Sequence, residues 1–341
     1  MGIETVREIQ TIGVNAVQRR IVGGGMILLL MVFCVSRLTT KTPAKWYQEA
    51  RHRPYIFVGG HQSSGTTLMR VILDVHHMIR CGPEPVVGEF LLRFRVSMDK
   101  FKDRLTDIGI YPEILDTAVA NFLSEIIERM GAPAPVLCHK DPRTFFYLAY
   151  LGELFPRAKF INMLRDGRAA ILSSIERKLS NGTELTLLKK WEIWVRQMQY
   201  DCQNLGPQRC MTVRYELLVL YPEKMLRKIM EFLELPWDPK VLEHEKWVEE
   251  EANLTVFDKS TEQIKMKIHT ESLGLWAEGD SILSDNFVET AHMNFSLLQE
   301  LGYDHVGLPP NYHALSWEQP IVRWTDEHQA SQPRQKFMQM P

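Results

Sequence analysis

Three absences narrow this sequence before any motif does. Of its 341 residues only 5 are cysteine, and no C-x-x-C or Cys/His spacing of the kind that holds zinc occurs, so neither a redox dithiol nor a zinc module is expected. Charge of one sign is also missing. Its 40 Lys and Arg face 42 Asp and Glu for a formal net charge of -2, with the two signs matched along the chain. That excludes a general nucleic-acid-binding surface and leaves polyanion recognition to local sites. The third absence is of internal repeats and low-complexity blocks, and 45% hydrophobic residues suffice for a buried core in one large domain or two small ones.

What is present begins with an apolar run. Residues 21–35 are nearly all apolar, extend to about 18 residues if Ser36, Arg37 and Leu38 are counted, and follow Arg19-Arg20. The positive-inside rule then predicts a cytosolic tail over 1–20, a single membrane span over 21–38, and a body on the far side beyond a polar, proline-containing stem over 39–53. A cleaved signal peptide fits less well. The run starts about twenty residues in, and no small-x-small site follows Leu38. So short a span suits a thinner internal membrane.

Cysteine usage agrees with an oxidising compartment. Cys34 lies in the apolar run, leaving Cys81, Cys138, Cys202 and Cys210, an even number that suggests two disulfides. Cys202 with Cys210 would close a small loop containing Gly206-Pro207, leaving Cys81 with Cys138. Sequons stand at Asn181, Asn253 and Asn294.

The body is organised around Tyr55 to Arg70. Tyr55 to Val58 has the aromatic and β-branched composition of a central strand, Gly59-Gly60 end it, and Leu68, Val71, Ile72 and Val75 have helical spacing. Strand, glycine-bearing turn and helix together aim unpaired N–H groups and the hydroxyls of Ser64, Thr66 and Thr67 into one loop, which suits phosphate or sulfate. Gly60 and Gly65 fit the G-x-x-x-x-G part of a P-loop. Thr66 stands where an NTPase needs its lysine, so ordinary ATP or GTP hydrolysis is not expected.

Further elements alternate. Helices are predicted over Val86 to Arg95, Pro112 to Met130, Phe145 to Phe155, Ala169 to Lys178, Thr186 to Tyr200, Glu223 to Leu233 and Phe287 to Leu301. Strands are predicted over Val136 to His139, Lys159 to Leu164 and Met211 to Tyr215. That pattern gives an α/β class with a mainly parallel sheet covered on both faces, and a loose tail from about Pro309. Arg165 closes a predicted strand, where open α/β sheets place ligands, and Ser173 and Arg177 share one face of the next helix. Two guanidiniums and a hydroxyl at a strand end make a second anion site. The competing reading pairs Arg165 with Asp166 or Glu176 and leaves Arg177 a solvated charge.

A ligand anionic at both ends is implied, and here the sequence resembles a family. S-G-T-T-L-M-R-x-x-L-D, R-C-G-x-E, C-x-K-D-P, L-F-P-x-A-K-F-x-x-M-x-R-D-G-R-A and Y-E-L-L-V-L-x-P-E occur in that order, and P-P-N-Y at Pro309 to Tyr312 follows. Over roughly Tyr55 to Tyr312 this is similar to the tyrosylprotein sulfotransferases. The resemblance implies a P-loop-like sulfotransferase fold over 54–312, a tail over 313–341, and 3′-phosphoadenylyl sulfate as co-substrate, with no metal. Ser63, Ser64, Gly65, Thr66 and Thr67 would hold the 5′-phosphosulfate, and Arg165, Ser173 and Arg177 the 3′-phosphate. Tyr215 and the segment Ser260, Thr261, Glu262, Gln263, Ile264, Lys265, Met266, Lys267, Ile268 and His269 would complete the nucleotide pocket. Glu84 would be the base and Lys140 and Ser260 the stabilisers of the transition state, while the four cysteines match two family disulfides. Tyrosine-bearing protein acceptors, a Golgi membrane location with a lumenal body, and a homodimer are implied as well.

The chemistry suits those residue types. Sulfuryl transfer is an in-line displacement in which alignment and charge stabilisation dominate, by analogy with phosphoryl transfer. A phenol of pKa about 10 needs a carboxylate to take its proton, as Glu84 would. An ammonium near the bridging oxygen offsets charge on the leaving group. Against these stand an ion pair of Lys140 with Asp141 and a surface acid between Pro83 and Pro85. The chain also departs from the family, which has an arginine at the position of Ser63, a lysine at that of Leu275, and arginines that attract acidic acceptor residues at those of Val86 and Phe90. Two alternatives follow: a weakly active or non-catalytic relative that binds peptide or a partner, and a carbohydrate sulfotransferase sharing the donor site.

Overall fold

The computed structural model describes residues 50–251 and 265–323. The predicted membrane span, Cys34, Asn253, Ser260 to Ile264 and residues 324–341 lie outside them. Among the described residues no helix is long and apolar enough to cross a membrane.

Five strands form one sheet: β1 (Ile56–Gly60), β2 (Ile79–Cys81), β3 (Val136–Lys140), β4 (Lys159–Leu164) and β5 (Cys210–Arg214). Their order is β2-β3-β1-β4-β5 and every neighbouring pair is parallel. β1 is buried throughout because both faces are covered, which is why it reads as an uninterrupted apolar run. Alternate residues serve opposite layers. Ile56, Val58, Ile161 and Met163 belong to one core, with α1 (Thr66–Asp74) and, later in the chain, α6 (Gly167–Glu176). Tyr55, Phe57 and Phe160 belong to the other.

Between α1 and α6 come α2 (Val87–Ser97), α3 (Lys102–Asp107), α4 (Glu113–Arg129) and α5 (Leu148–Leu154). After α6 follow α7 (Glu184–Leu205), α8 (Tyr215–Leu220), α9 (Pro222–Leu233), α10 (His244–Glu251), α11 (Asp285–Asn294) and α12 (Ser296–Glu300). α7 spans both layers, giving Leu188 and Trp191 to one core and Met198 and Cys202 to the other. Both disulfides form: Cys81–Cys138 ties β2 to β3 at partnered positions, and Cys202–Cys210 ties α7 to β5.

Besides short elements absent from the sequence reading, such as β2 and α3, three features differ from it. The helix expected over Phe145 to Phe155 starts as a 3-10 turn, Pro142–Tyr147, because Asp141 caps it and Pro142 opens it. The helix expected over Phe287 to Leu301 breaks at Phe295, whose φ of -125° is extended and whose ring is buried. Packing also continues past Tyr312, since Leu315 and Val322 are buried and Arg196 donates to the Arg323 carbonyl.

Candidate active site

β1 delivers the chain into the loop His61 to Gly65, and two glycines there are required by close approach. A Cβ on Gly60 would lie 2.3 Å from the Met163 carbonyl oxygen of β4, and one on Gly65 would lie 2.5 Å from the Tyr215 ring. Both glycines also hold positive φ, 141° and 92°. Ser63 turns left-handed at φ 67°, and α1 starts without an acidic residue in its first turn. The first N–H groups of that helix are therefore free to meet an anion.

The loop opens on a cleft of about 930 Å³, open mouth included, lined by Ser63, Gly65, Thr66 and Thr67 on one wall. Ser64 is buried behind the loop instead, its hydroxyl against Gly60. Arg165, Ser173 and Arg177 line the same cleft, and both arginines touch the loop. Arg165 leaves the carboxyl end of β4, donates to the Ser63 carbonyl at 3.1 Å and the Ser272 carbonyl at 2.9 Å, and lies over the Tyr215 ring at 4.5 Å. Arg177, at the end of α6, donates to Ser63 Oγ at 2.6 Å and back to the Ser173 carbonyl at 3.3 Å. The competing reading paired Arg165 with Asp166 or Glu176 and left Arg177 to solvent; among the described residues Asp166 is instead taken by Arg168, and Arg177 is held by Ser63. The two expected anion sites are walls of one cleft.

Tyr215 and the segment Met266, Lys267, Ile268 and His269 complete the lining, together with Leu275 and Trp276. Ser272 was not legible in the sequence, since nothing distinguishes it from other serines after Asn253. Its hydroxyl shares a 2.8 Å hydrogen bond with Tyr215 Oη while its carbonyl holds Arg165. The P-P-N-Y segment acts from behind. Trp276 Nε1 donates to Tyr312 Oη at 2.8 Å, and that hydroxyl donates to Asp166 at 3.0 Å, so the tail fixes one wall of the cleft.

Could His61 or Gln62 replace the charge that the resemblance puts at Ser63? Burial pushes His61 down to about 4, so it is neutral at neutral pH, and the Gln62 amide is bonded to Ser180 Oγ. Neither supplies a cation.

A second group stands at the end of β3. Lys140 is the Cα partner of Val58, three residues before the loop begins at His61, so it lies on the same carboxyl edge of the sheet. Its Nζ donates to Glu84 Oε2 at 2.6 Å, with the lysine side chain 3% exposed and the glutamate 35%. Lys140 thus pairs with Glu84 rather than with Asp141, and an accessible carboxylate is held beside a buried ammonium. Burial, and then the Glu84 charge, push Asp141 up to about 6. Burial, and then Lys140, push His139 down to about 4. Of the three residues expected around the reacting group, Glu84 and Lys140 come together, and Ser260 lies outside the described residues.

Comparisons with known proteins show the family. A profile of the sulfotransferase family matches residues 54–239. The chain is 38% identical over 288 residues to a protein-tyrosine sulfotransferase of Drosophila melanogaster, covering 82% of this chain and 57% of that one. It is 38% identical over 270 residues to protein-tyrosine sulfotransferase A of Caenorhabditis elegans, covering 77% of this chain and 70% of that one. Among solved structures, the sulfotransferase domain from the curacin biosynthetic pathway aligns at 19% identity and TM-score 0.47, over 72% of this chain and 98% of that one. At that distance no geometry is carried over from it.

Proposed function

The chain belongs to the sulfotransferase family, beside the protein-tyrosine sulfotransferases, and from that premise we propose that it transfers sulfate from 3′-phosphoadenylyl sulfate to tyrosine hydroxyls of protein acceptors. One observation carries the reading: Arg165 and Arg177 both reach Ser63, so the anion-binding loop and the arginine pair face a single cleft. Helix N–H groups beside two guanidiniums support a ligand that carries two anionic groups. Arg165 Nε is buried without a hydrogen-bond partner, an unspent donor beside the loop.

When bound, the donor supplies an activated sulfuryl group. This chain's residues do the rest. The Gly65 to Thr67 turn holds the end to be transferred, and Arg165, Ser173 and Arg177 hold the ribose phosphate. Glu84 takes the phenol proton as the new S–O bond forms, and its accessible face is what an acceptor can approach. Lys140 holds the Glu84 carboxylate in place through its 2.6 Å hydrogen bond and sets a positive charge at the sheet edge where the leaving phosphate gains negative charge.

The setting belongs to the same proposal: an N-terminal anchor in the Golgi membrane, a lumenal body, a homodimer, and glycans at the sequons. Two disulfides and the exposed Asn181 and Asn294 support it. A second reading, a binding-only relative, draws on Ser63 and Leu275, which leave the cleft two cations short of the family pattern. Incubating the purified full chain with labelled donor and a varied panel of tyrosine peptides decides between them. Label on tyrosine is expected. Donor binding by calorimetry with no label on any peptide would overturn the transferase reading, and no donor binding would favour the second.

A further inference from the structure

Arg214 is a buried cation that no carboxylate meets. It ends β5, is 5% exposed, and keeps Nε and Nη1 out of water without a hydrogen-bond partner. Its neighbours are neutral or already engaged. The guanidinium lies 5.3 Å from the centre of the Tyr303 ring, and burial, followed by the Glu216 charge, pushes the Tyr303 hydroxyl far up while Arg214 draws it only part of the way back. That hydroxyl is a neutral phenol, not a counter-ion. It donates to Glu216 Oε2 at 3.1 Å, and the other Glu216 oxygen accepts from the Asp166 N–H at 2.8 Å. A cation taken out of water and left unpaired is costly, so an anion that reached it would be favoured.

A way in exists. Arg214 lines a cleft of about 910 Å³, open mouth included, in which Leu301, Val306 and Leu315 are buried and Ile321, 76% exposed, stands at the mouth. The wall is held in place. Gln319 accepts from the Thr212 N–H at 2.6 Å and donates to the Thr212 carbonyl at 3.1 Å, closing the free edge of β5 as a further strand would, and Arg196 holds the Arg323 carbonyl at 3.0 Å. The other charged groups of the cleft are Glu300, held by Arg196 at 2.8 Å, the exposed Glu318, and His305, which faces Asp304 at 3.2 Å. Two acids at the cleft disfavour a dianion, a guanidinium fork matches a carboxylate, and apolar walls suit an alkyl body. We propose that this cleft binds an amphiphilic monocarboxylate, a small organic acid or the C-terminal carboxylate of a peptide, with the carboxylate on Arg214. It shares no lining residue with the donor cleft, and the proposal does not depend on the transferase reading.

Calorimetry with the full chain tests it, using hexanoate and its neutral counterpart hexanamide as probes. Hexanoate is expected to bind at least about tenfold more tightly than the amide. Arg214→Gln should erase that difference. Ile321→Glu, at the exposed mouth and away from the packed guanidinium, should weaken hexanoate by at least about threefold and leave the amide unchanged, which keeps the test open if the buried substitution disturbs folding. Both variants should bind adenosine 3′,5′-bisphosphate as the unaltered chain does. A peptide ending in a free leucine carboxylate, compared with its C-terminal amide, distinguishes the sources: tighter binding of that acid than of hexanoate makes a chain end the ligand, and the reverse order a free acid. Equal binding of hexanoate and hexanamide by the unaltered chain overturns the proposal, as does a preference that neither variant reduces. So does displacement of hexanoate by adenosine 3′,5′-bisphosphate, which would put the acid in the donor cleft. Inorganic sulfate that binds more tightly than hexanoate, and is lost in Arg214→Gln, would overturn the carboxylate class.

Discussion

Replacing Asp141 by asparagine is expected to make this protein more stable, although it removes a fully buried charged residue. The carboxyl sits at 1% exposure with Oδ1 accepting from the Arg143 N–H and Oδ2 without a partner. Asparagine keeps the shape and the capping oxygen. The folded protein pushes the group from an ordinary 3.8 up to about 6, through burial and the neighbouring Glu84 charge. A raised carboxyl binds its proton more tightly folded than unfolded, so its contribution is fully present below 3.8 and is lost as pH rises through about 6. Two pH units at 1.36 kcal/mol each set a ceiling of about 3 kcal/mol for what the ionised carboxylate subtracts at pH 7.5. Denaturant titration with the disulfides intact should show Asp141→Asn ahead by 1–3 kcal/mol, about that range, at pH 7.5 and level with the unaltered protein below about pH 4. A variant equal to or weaker than the parent at pH 7.5 would refute the reasoning.

Three further outcomes are expected. Ser63→Ala removes the 2.6 Å acceptor of Arg177 and should weaken binding of adenosine 3′,5′-bisphosphate by about tenfold to a hundredfold, read by calorimetry. Leu275→Lys places a cation on the cleft wall at a residue 40% exposed, and should tighten the same ligand by about tenfold at low salt, less at high salt. The two disulfides should differ in cost. Chain entropy for separations of 57 and 8 residues gives about 4 kcal/mol for Cys81–Cys138 and about 2.5 kcal/mol for Cys202–Cys210, so Cys81→Ser with Cys138→Ser should lower the denaturation midpoint further.

How legible was all this in the sequence? Strands covered on both faces announce themselves by apolar runs, and β4 over Lys159–Leu164 has the boundaries read from its composition. β2 escaped because three residues with Arg80 in the middle make no pattern. Its arginine is tolerated because the guanidinium donates to the Ile127 and Glu128 carbonyls at the end of α4. The cleft of the loop and the two arginines was legible because its parts are local: a loop, a strand end and the helix after it, each contiguous in sequence. The Glu84–Lys140 pair was not legible as a pair, because 56 residues separate them and only the β1–β3 register brings Lys140 to the loop's edge. That Phe90 and Phe94 of α2 face outward could not be read at all. The period of α2 is helical whichever way the helix is turned, and only the burial of Glu89 and Arg95 shows that the aromatic side faces out.

The missing loop arginine changes what the cleft costs to fill more than what it can do. Arg165 and Arg177 are both tethered to Ser63 by hydrogen bonds within the protein, and Arg165 has no carboxylate partner among the described residues. Side chains ordered beforehand spare a ligand roughly 0.5–1.5 kcal/mol each, or about 1–3 kcal/mol for two. The cations absent at Ser63 and Leu275 each remove a charge-assisted contact of roughly 1.5–3 kcal/mol, or about 3–6 kcal/mol together. Taken at matching ends of the two ranges, the loss outweighs the saving by about 2–3 kcal/mol, a factor of about 30 to 150 in donor affinity. Glu84 and Lys140 are untouched by either substitution, and they are the groups proposed to act on the proton and the developing charge. Measured beside the Caenorhabditis elegans relative, this chain should therefore show a donor KM raised by that factor with kcat within about tenfold. A kcat that collapses while donor binding stays tight would place the defect at the Glu84–Lys140 pair instead, and would sink the division of labour between cleft and base.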